Sequence, residues 1–177
     1  MNATVSHLFE GASAATLMPI FADVEAYPSF VPGFKSAKVF ERRADGYKTE
    51  AVMAMQAGPF TVEEEVTADT KLLPNAIEVQ SVGNRFIKWF GNVWYFRDVP
   101  GGCMVDFAMA IEFAMLPAMA RPLLVGLAQQ QAEKILQAFV KRIEELHISV
   151  APDCVTSGAI ALQYGTSSQA RALAPAG

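Results

Sequence analysis

Apolar and polar residues alternate with period two over most of the first two thirds of the chain. A spacing of three and four then takes over. The cleanest alternation runs over 103–115, where Cys103, Val105, Phe107, Met109, Ile111, Phe113 and Met115 interleave with Asp106, Ala108, Ala110 and Glu112. Successive side chains of a strand point to opposite faces, so this segment presents one continuous apolar face. Over 47–56, Tyr47, Thr49, Ala51, Met53 and Met55 share a face, with Lys48, Glu50 and Gln56 on the other. Strands are also predicted at 3–9 (Val5, His7 and Phe9 on one face), 36–43, 60–71, 77–82 and 85–97. The breaks between them are short: Ala44-Asp45-Gly46, Gly58-Pro59, Pro74-Asn75, Gly83-Asn84 and Pro100-Gly101-Gly102. One-sided strands joined by such turns predict an antiparallel meander.

Two helices complete the pattern. Ser13 is a suitable N-cap for a helix over 14–21. Over 118–146, Leu124, Leu127, Ala128, Gln131, Ile135, Phe139, Ile143 and Leu146 follow helical spacing. Glu133, Lys134, Lys141, Arg142, Glu144 and Glu145 lie mainly on the opposite face, and Pro117 and Pro122 start or bend the helix. One large sheet with one long covering helix is an α+β arrangement. If the sheet curves around that helix, a single helix cannot fill both ends of the wrap. An internal cavity is then a geometrical possibility, not a necessity.

The string D-V-E-A-Y-P-S-F-V-P at 23–32 sets Tyr27, Phe30 and Val31 among two prolines. Each proline lacks an N–H and disfavours helix in the residue before it, so the backbone must kink here. Such a segment serves as a lid over a cavity or as a compact connection above a closed core.

With 177 residues the chain suits one domain, over 1–147. Residues 148–177 are rich in Ala, Ser and Gly, carry only Asp153 and Arg171 as charges, and read as a flexible tail in which 155–164 suit an extra strand or docking segment. Hydrophobic residues make up 52% and charged residues 18%, enough to bury a core. A net charge of -4 and a pI near 5.2 disfavour nucleic acid as a partner. Two cysteines (Cys103, a buried thiol by position, and Cys154) and two distant histidines predict neither a disulfide framework nor a metal site. No basic n-region precedes the first apolar stretch, and 104–128 is interrupted by charges and prolines. A soluble cytoplasmic protein is expected, with peripheral contact at the inner membrane left open.

Several strings then converge on a known family: 23–32, F-I-K-W-F-G-N-V-W-Y-F at 86–96, C-M-V-D-F at 103–107 with I-E-F at 111–113, and A-F-V-K-R at 138–142. The chain resembles the coenzyme Q-binding START-like proteins, within the polyketide cyclase-like SRPBCC superfamily. The resemblance implies a helix-grip fold, a curved antiparallel sheet wrapped around a long C-terminal helix. It also implies a central cavity for ubiquinone or another isoprenoid lipid, with a carrier or chaperone role supporting respiration. No further cofactor is implied. Two alternatives accompany the fold: an aromatase, cyclase or hydratase, and a toxin acting on ribosomal subunit association.

Strand parity then gives a candidate wall for such a cavity. Met53, Met55, Phe60, Val62, Phe107, Met109 and Phe113 occupy the apolar parity, as do Phe90, Trp94 and Phe96 unless Gly91 carries a bulge. Met119, Leu123 and Leu127 begin the helix, and Tyr27, Phe30 and Phe34 form the lid. Methionine is flexible and polarizable and suits a long apolar ligand, although all of these residues also suit a closed core. Alternation aims Glu64 inward, as a contact for a ligand headgroup or an acid. A bulge in the run 63–65 is the alternative, which returns it to water. His7 is also inward by parity and reads as a core histidine. No Ser/His/Asp set, phosphate loop or other catalytic spacing is present, and Gly101-Gly102 is a hairpin turn.

Overall fold

A computed structural model describes residues 2–57, 60–83, 87–114 and 127–146. Seven strands and two α-helices occur among them. They are β1 (Asn2–Glu10), α1 (Ala14–Ala22), β2 (Phe34–Arg43), β3 (Gly46–Ala57), β4 (Phe60–Leu73), β5 (Ala76–Gly83), β6 (Ile87–Val99), β7 (Gly102–Phe113) and α2 (Leu127–Glu145). A short 3-10 helix, Val24–Ser29, follows α1. The strands form one antiparallel sheet in the order β1-β7-β6-β5-β4-β3-β2. Consecutive strands from β2 to β7 are neighbours, as short turns require, and β1 closes beside β7. The curved sheet grips α2, which packs on β1 and β7, while α1 covers β5 and β6. This is the helix-grip arrangement.

Strand ends differ from the expected ones by a few residues, because ladder pairing continues past the last apolar position. The helix expected over 118–146 is seen as Leu127–Glu145, and its expected beginning, with Pro117, Met119, Pro122 and Leu123, lies outside the described residues. So do His147 and the tail expected over 148–177. The possible bulge at Gly91 does not occur there. Gly91 pairs regularly with Ala110, and the register shift lies between Ile87 and Trp89. Gly91 serves another need. A Cβ at that position would stand 2.5 Å from the Trp89 indole, so only glycine lets the ring lie against the backbone.

The core is centred on α2 and the concave face of the sheet. Phe139 is fully buried and stacks on Phe21, with centroids 4.1 Å apart and planes at 8°. Trp94 stacks on Phe107 at 3.8 Å and meets Phe139 edge-on at 5.1 Å. The Ser13 Oγ accepts from the Thr16 N–H, as expected of an N-cap, and the Ala14 N–H donates to Asp98 in the β6–β7 hairpin at 2.7 Å. The last carbonyls of α1 are satisfied by two tyrosines. Tyr27 Oη donates to Phe21 O at 2.5 Å and Tyr47 Oη to Ala22 O at 2.6 Å. These bonds tie the kinked segment to α1 and α1 to β3. His7 is half-buried on β1, edge-on to Phe9 at 4.7 Å.

Candidate functional site: a polar lane in an apolar cavity

Between the concave face and the 3-10 segment lies a cavity of about 70 Å³. Its upper wall is Val24, Tyr27, Val31 and Phe34, its helical wall is Phe21 and Ile135, and its floor comes from β3 to β7. The floor is apolar at its margins, with Ala51, Met53 and Val66 towards one end and Ile77, Trp94 and Phe107 towards the other.

A band of polar side chains crosses the middle of that floor: Thr49 on β3, Thr70 on β4, Ser81 on β5 and Asn92 on β6. Their adjacency follows from register. Tyr47 pairs with Thr70, Thr70 with Val79, and Val79 with Asn92, which places Thr70 and Asn92 in one row with Tyr47. The next row runs Thr49, Ala68, Ser81 and Phe90. All four polar side chains are buried, Thr49 at 1% and Asn92 at 8% exposure. Ser81 Oγ donates to Phe90 O at 3.1 Å. Thr49 Oγ1 and Asn92 Oδ1 have no hydrogen-bond partner among the described residues. An unpartnered buried polar group costs about 1–3 kcal/mol, so two on one cavity floor are an anomaly that a ligand or water would relieve.

The tyrosines in the wall are neutral at ordinary pH. Burial is the main reason that the Tyr27 phenol is pushed well above its usual range, with the Tyr47 and Asp23 charges adding to it. Burial likewise pushes Tyr47 to about 12, against an opposing hydrogen bond with Thr70. The Cys103 thiol is buried and pushed up to about 11, first by burial and then by Asp98. It is not among the residues that line the cavity.

Of the side chains expected to line a cavity, Tyr27, Phe34, Met53, Phe90, Trp94 and Phe107 do so. Four others pack elsewhere, among them Phe96, which is buried in the main core edge-on to Phe21 at 5.2 Å. Phe30 lies edge-on to Phe139 at 5.1 Å and to Tyr27 at 5.8 Å, beneath the Arg142 guanidinium, and does not line the cavity. Met109 is buried in the main core, across the ladder from Ala3 and Asn92. Phe113 packs on a smaller cluster of Ala51, Val66, Ile87 and Ile111 at the margin of the cavity and does not line it. Met119 and Leu123 lie outside the described residues, as do the side chains of Met55, Phe60, Val62 and Leu127.

Glu64 is buried at 2% exposure. The ladder from β3 to β4 runs without a bulge, with Glu64 opposite Met53, so the alternative that returned it to water does not hold. Its Oε1 accepts from the Ile87 N–H at 3.4 Å, and it is not part of the cavity wall. Sequence reasoning passed over Thr70, Ser81 and Asn92. Their signal was parity alone: Asn92 shares the face of Phe90 and Trp94, and Thr70 that of Val66 and Ala68.

Residues 11–140 match the family model described as polyketide cyclase / dehydrase and lipid transport. The chain belongs to this family. Within the START-like superfamily, a START superfamily protein from Mycobacterium smegmatis superposes with a TM-score of 0.63 at 21% identity, covering 81% of this chain and 98% of that one. The mitochondrial coenzyme Q-binding protein of Drosophila melanogaster is 26% identical over 111 residues, which are 60% of this chain but only 44% of the fly protein. The ribosome association toxin RatA of Escherichia coli is 27% identical over 144 residues, 76% of this chain and 82% of the toxin. The family and the apolar cavity together make this a START-like protein built to bind a hydrophobic ligand. Among the described residues no helix is long and apolar enough to cross a membrane.

Proposed function

We propose that the protein binds ubiquinone or a related isoprenoid lipid by its ring and carries it unaltered, in support of respiratory electron transfer. The observation that carries this reading is the composition of the cavity wall. Among the described residues the wall holds aliphatic and aromatic groups, neutral phenols, hydroxyls and one amide, and no carboxylate, imidazole or amine. General acid–base chemistry needs a group that changes charge near the working pH, and none occurs among the described residues of this wall. The likeness to the coenzyme Q-binding protein points to the ligand class. At about 70 Å³ the cavity is smaller than the roughly 300–1,000 Å³ of sites that enclose whole small molecules. Binding a ring therefore requires the flexible Met53 and the neighbouring Phe34 to move aside, and the tail extends out of this space.

Trp94 supplies the test, since it lines the cavity while Trp89 lies on the opposite face of the sheet. Adding a short-chain ubiquinone should quench Trp94 and leave the quinone chemically intact on extraction. Ala68→Phe, which fills the floor without adding an indole, should abolish the quenching in a folded protein. Undiminished binding by that variant would place the ligand elsewhere. Conversion of the quinone by wild type would make the protein an enzyme.

The extent of the likeness to RatA favours a second reading, in which the protein engages ribosomes. Co-sedimentation with ribosomal subunits in the absence of any lipid would support that reading over the first.

A further inference from the structure

We infer that Glu25 latches a strap across the cavity, and that release of this carboxylate from the edge strand β2 admits the ligand. The gating role rests on the ring-binding reading above; the latch itself does not. Val24, Tyr27 and Val31 close the cavity from above. They belong to the 3-10 segment and the turn after it, which run alongside β2. The N–H groups of Ala26, Phe30 and Val31 donate to Asp23 O and Tyr27 O, within the segment itself. Side chains tie the strap down instead. Tyr27 Oη holds it to α1 through Phe21 O. Glu25 holds it to β2: Oε1 accepts from the Val39 N–H at 3.1 Å, and Oε2 from the Arg42 guanidinium at 2.9 Å. The β2 ladder shifts register between Val39 and Glu41, so this tie is made at an irregularity of the sheet's last strand.

The strap lies between two joints. At one end Asp23, with φ -82° and ψ 71°, breaks the path from α1 into the 3-10 turn. At the other end stands Gly33, with φ 90°, where a Cβ would come within 2.9 Å of Ala54 O. Residues at the ends of elements absorb the dihedral changes of a moving cover. The two ties differ in how they break. The Tyr27 phenol lines an apolar cavity, where a broken bond finds few new partners. Glu25 and Arg42 are exposed, so water takes over each group as the pair parts, and such bonds give way at small cost. Glu25 is therefore the tie that yields first. A second ion pair on β2 provides the comparison: Lys48 and Glu41 also meet at 2.9 Å and are exposed to a similar degree, but they join β2 to β3 and not to the strap.

The test pairs amide exchange in the ligand-free protein with stopped-flow quenching of Trp94 by decylubiquinone. Glu25→Ala should speed exchange over 24–31 by about three- to tenfold, with α2 as slow as in wild type. The quinone should enter and leave faster by the same factor, at unchanged affinity, because the latch closes over the empty and the filled cavity alike. Glu25→Gln keeps an acceptor for the Val39 N–H but loses the charge, and should fall between. Glu41→Ala should alter neither exchange over 24–31 nor the rates of entry and exit. Unaltered exchange over 24–31 in Glu25→Ala overturns the latch. Faster exchange with unaltered entry and exit places the entrance elsewhere and overturns the gate. Failure of decylubiquinone to bind wild type overturns the ring-binding reading, and exchange in the ligand-free protein then decides the latch by itself.

Discussion

Replacing Thr49 by valine should make the empty protein more stable. The hydroxyl is 1% exposed and has no partner among the described residues, so the folded state carries its desolvation without a compensating bond. Mutational data place that penalty at about 1–3 kcal/mol. Valine has nearly the same shape, is branched at Cβ like threonine, and suits a strand, so no new strain offsets the gain. The added methyl belongs to the same cavity wall as Ala51, Val66 and Phe34. We expect a gain of about 1–2 kcal/mol, allowing for partial relief in wild type. For a domain of this size that raises Tm by about 3–6 °C. Urea unfolding followed by tryptophan fluorescence would measure it as a shifted midpoint at unchanged slope. The same variant should bind ring ligands less well, so stability and binding move in opposite directions. An unchanged or lowered midpoint would refute the reasoning. It would mean that the hydroxyl is already satisfied in the empty protein, as by an ordered water, and that it is not waiting for a ligand.

Phe139→Ala should cost about 3–5 kcal/mol, because the ring is fully buried against Phe21, Tyr27, Phe30 and Trp94; a denaturant midpoint near wild type would show that the aromatic cluster collapses to fill the space. Alkali should unfold the protein through its buried tyrosines: with Tyr47 at 10.0 when unfolded and about 12 when folded, its contribution is fully present below pH 10 and is lost as pH rises towards 12. Stability measured at intervals across that range should fall with tyrosinate absorbance, and Tyr47→Phe should flatten the fall; a level profile in wild type would count against burial as the cause.

Much of the fold was legible in local pattern. Period-two alternation at 103–115 and short Gly- and Pro-containing turns are enough to specify an antiparallel meander, because a strand with one apolar face must bury it and a short turn leaves its neighbour no other place. Ser13 as a cap and the three-and-four spacing at 127–146 are local in the same sense. Parity also told which face of β3, β6 and β7 turns inward, which is why Met53, Trp94 and Phe107 were recognisable as wall residues. What parity cannot tell is how far along the inner face a residue stands from the cavity. Met109 and Phe113 share the parity of Phe107, yet one fills the core and the other a separate cluster, because α2 and the 3-10 segment cover the sheet unevenly. Phe30 was decided by its packing on Phe139 and Tyr27, and Glu64 by the absence of a bulge in the run 63–65. The polar lane is the clearest case. Thr49, Thr70, Ser81 and Asn92 lie on four different strands, and each alone is an unremarkable polar residue at an inward position. Only the register of three successive strand pairs brings them to one floor, and only the packing above them removes water from Thr49 and Asn92. Local sequence fixes the direction of a side chain, while its neighbours across a sheet and its access to water are properties of the assembled fold.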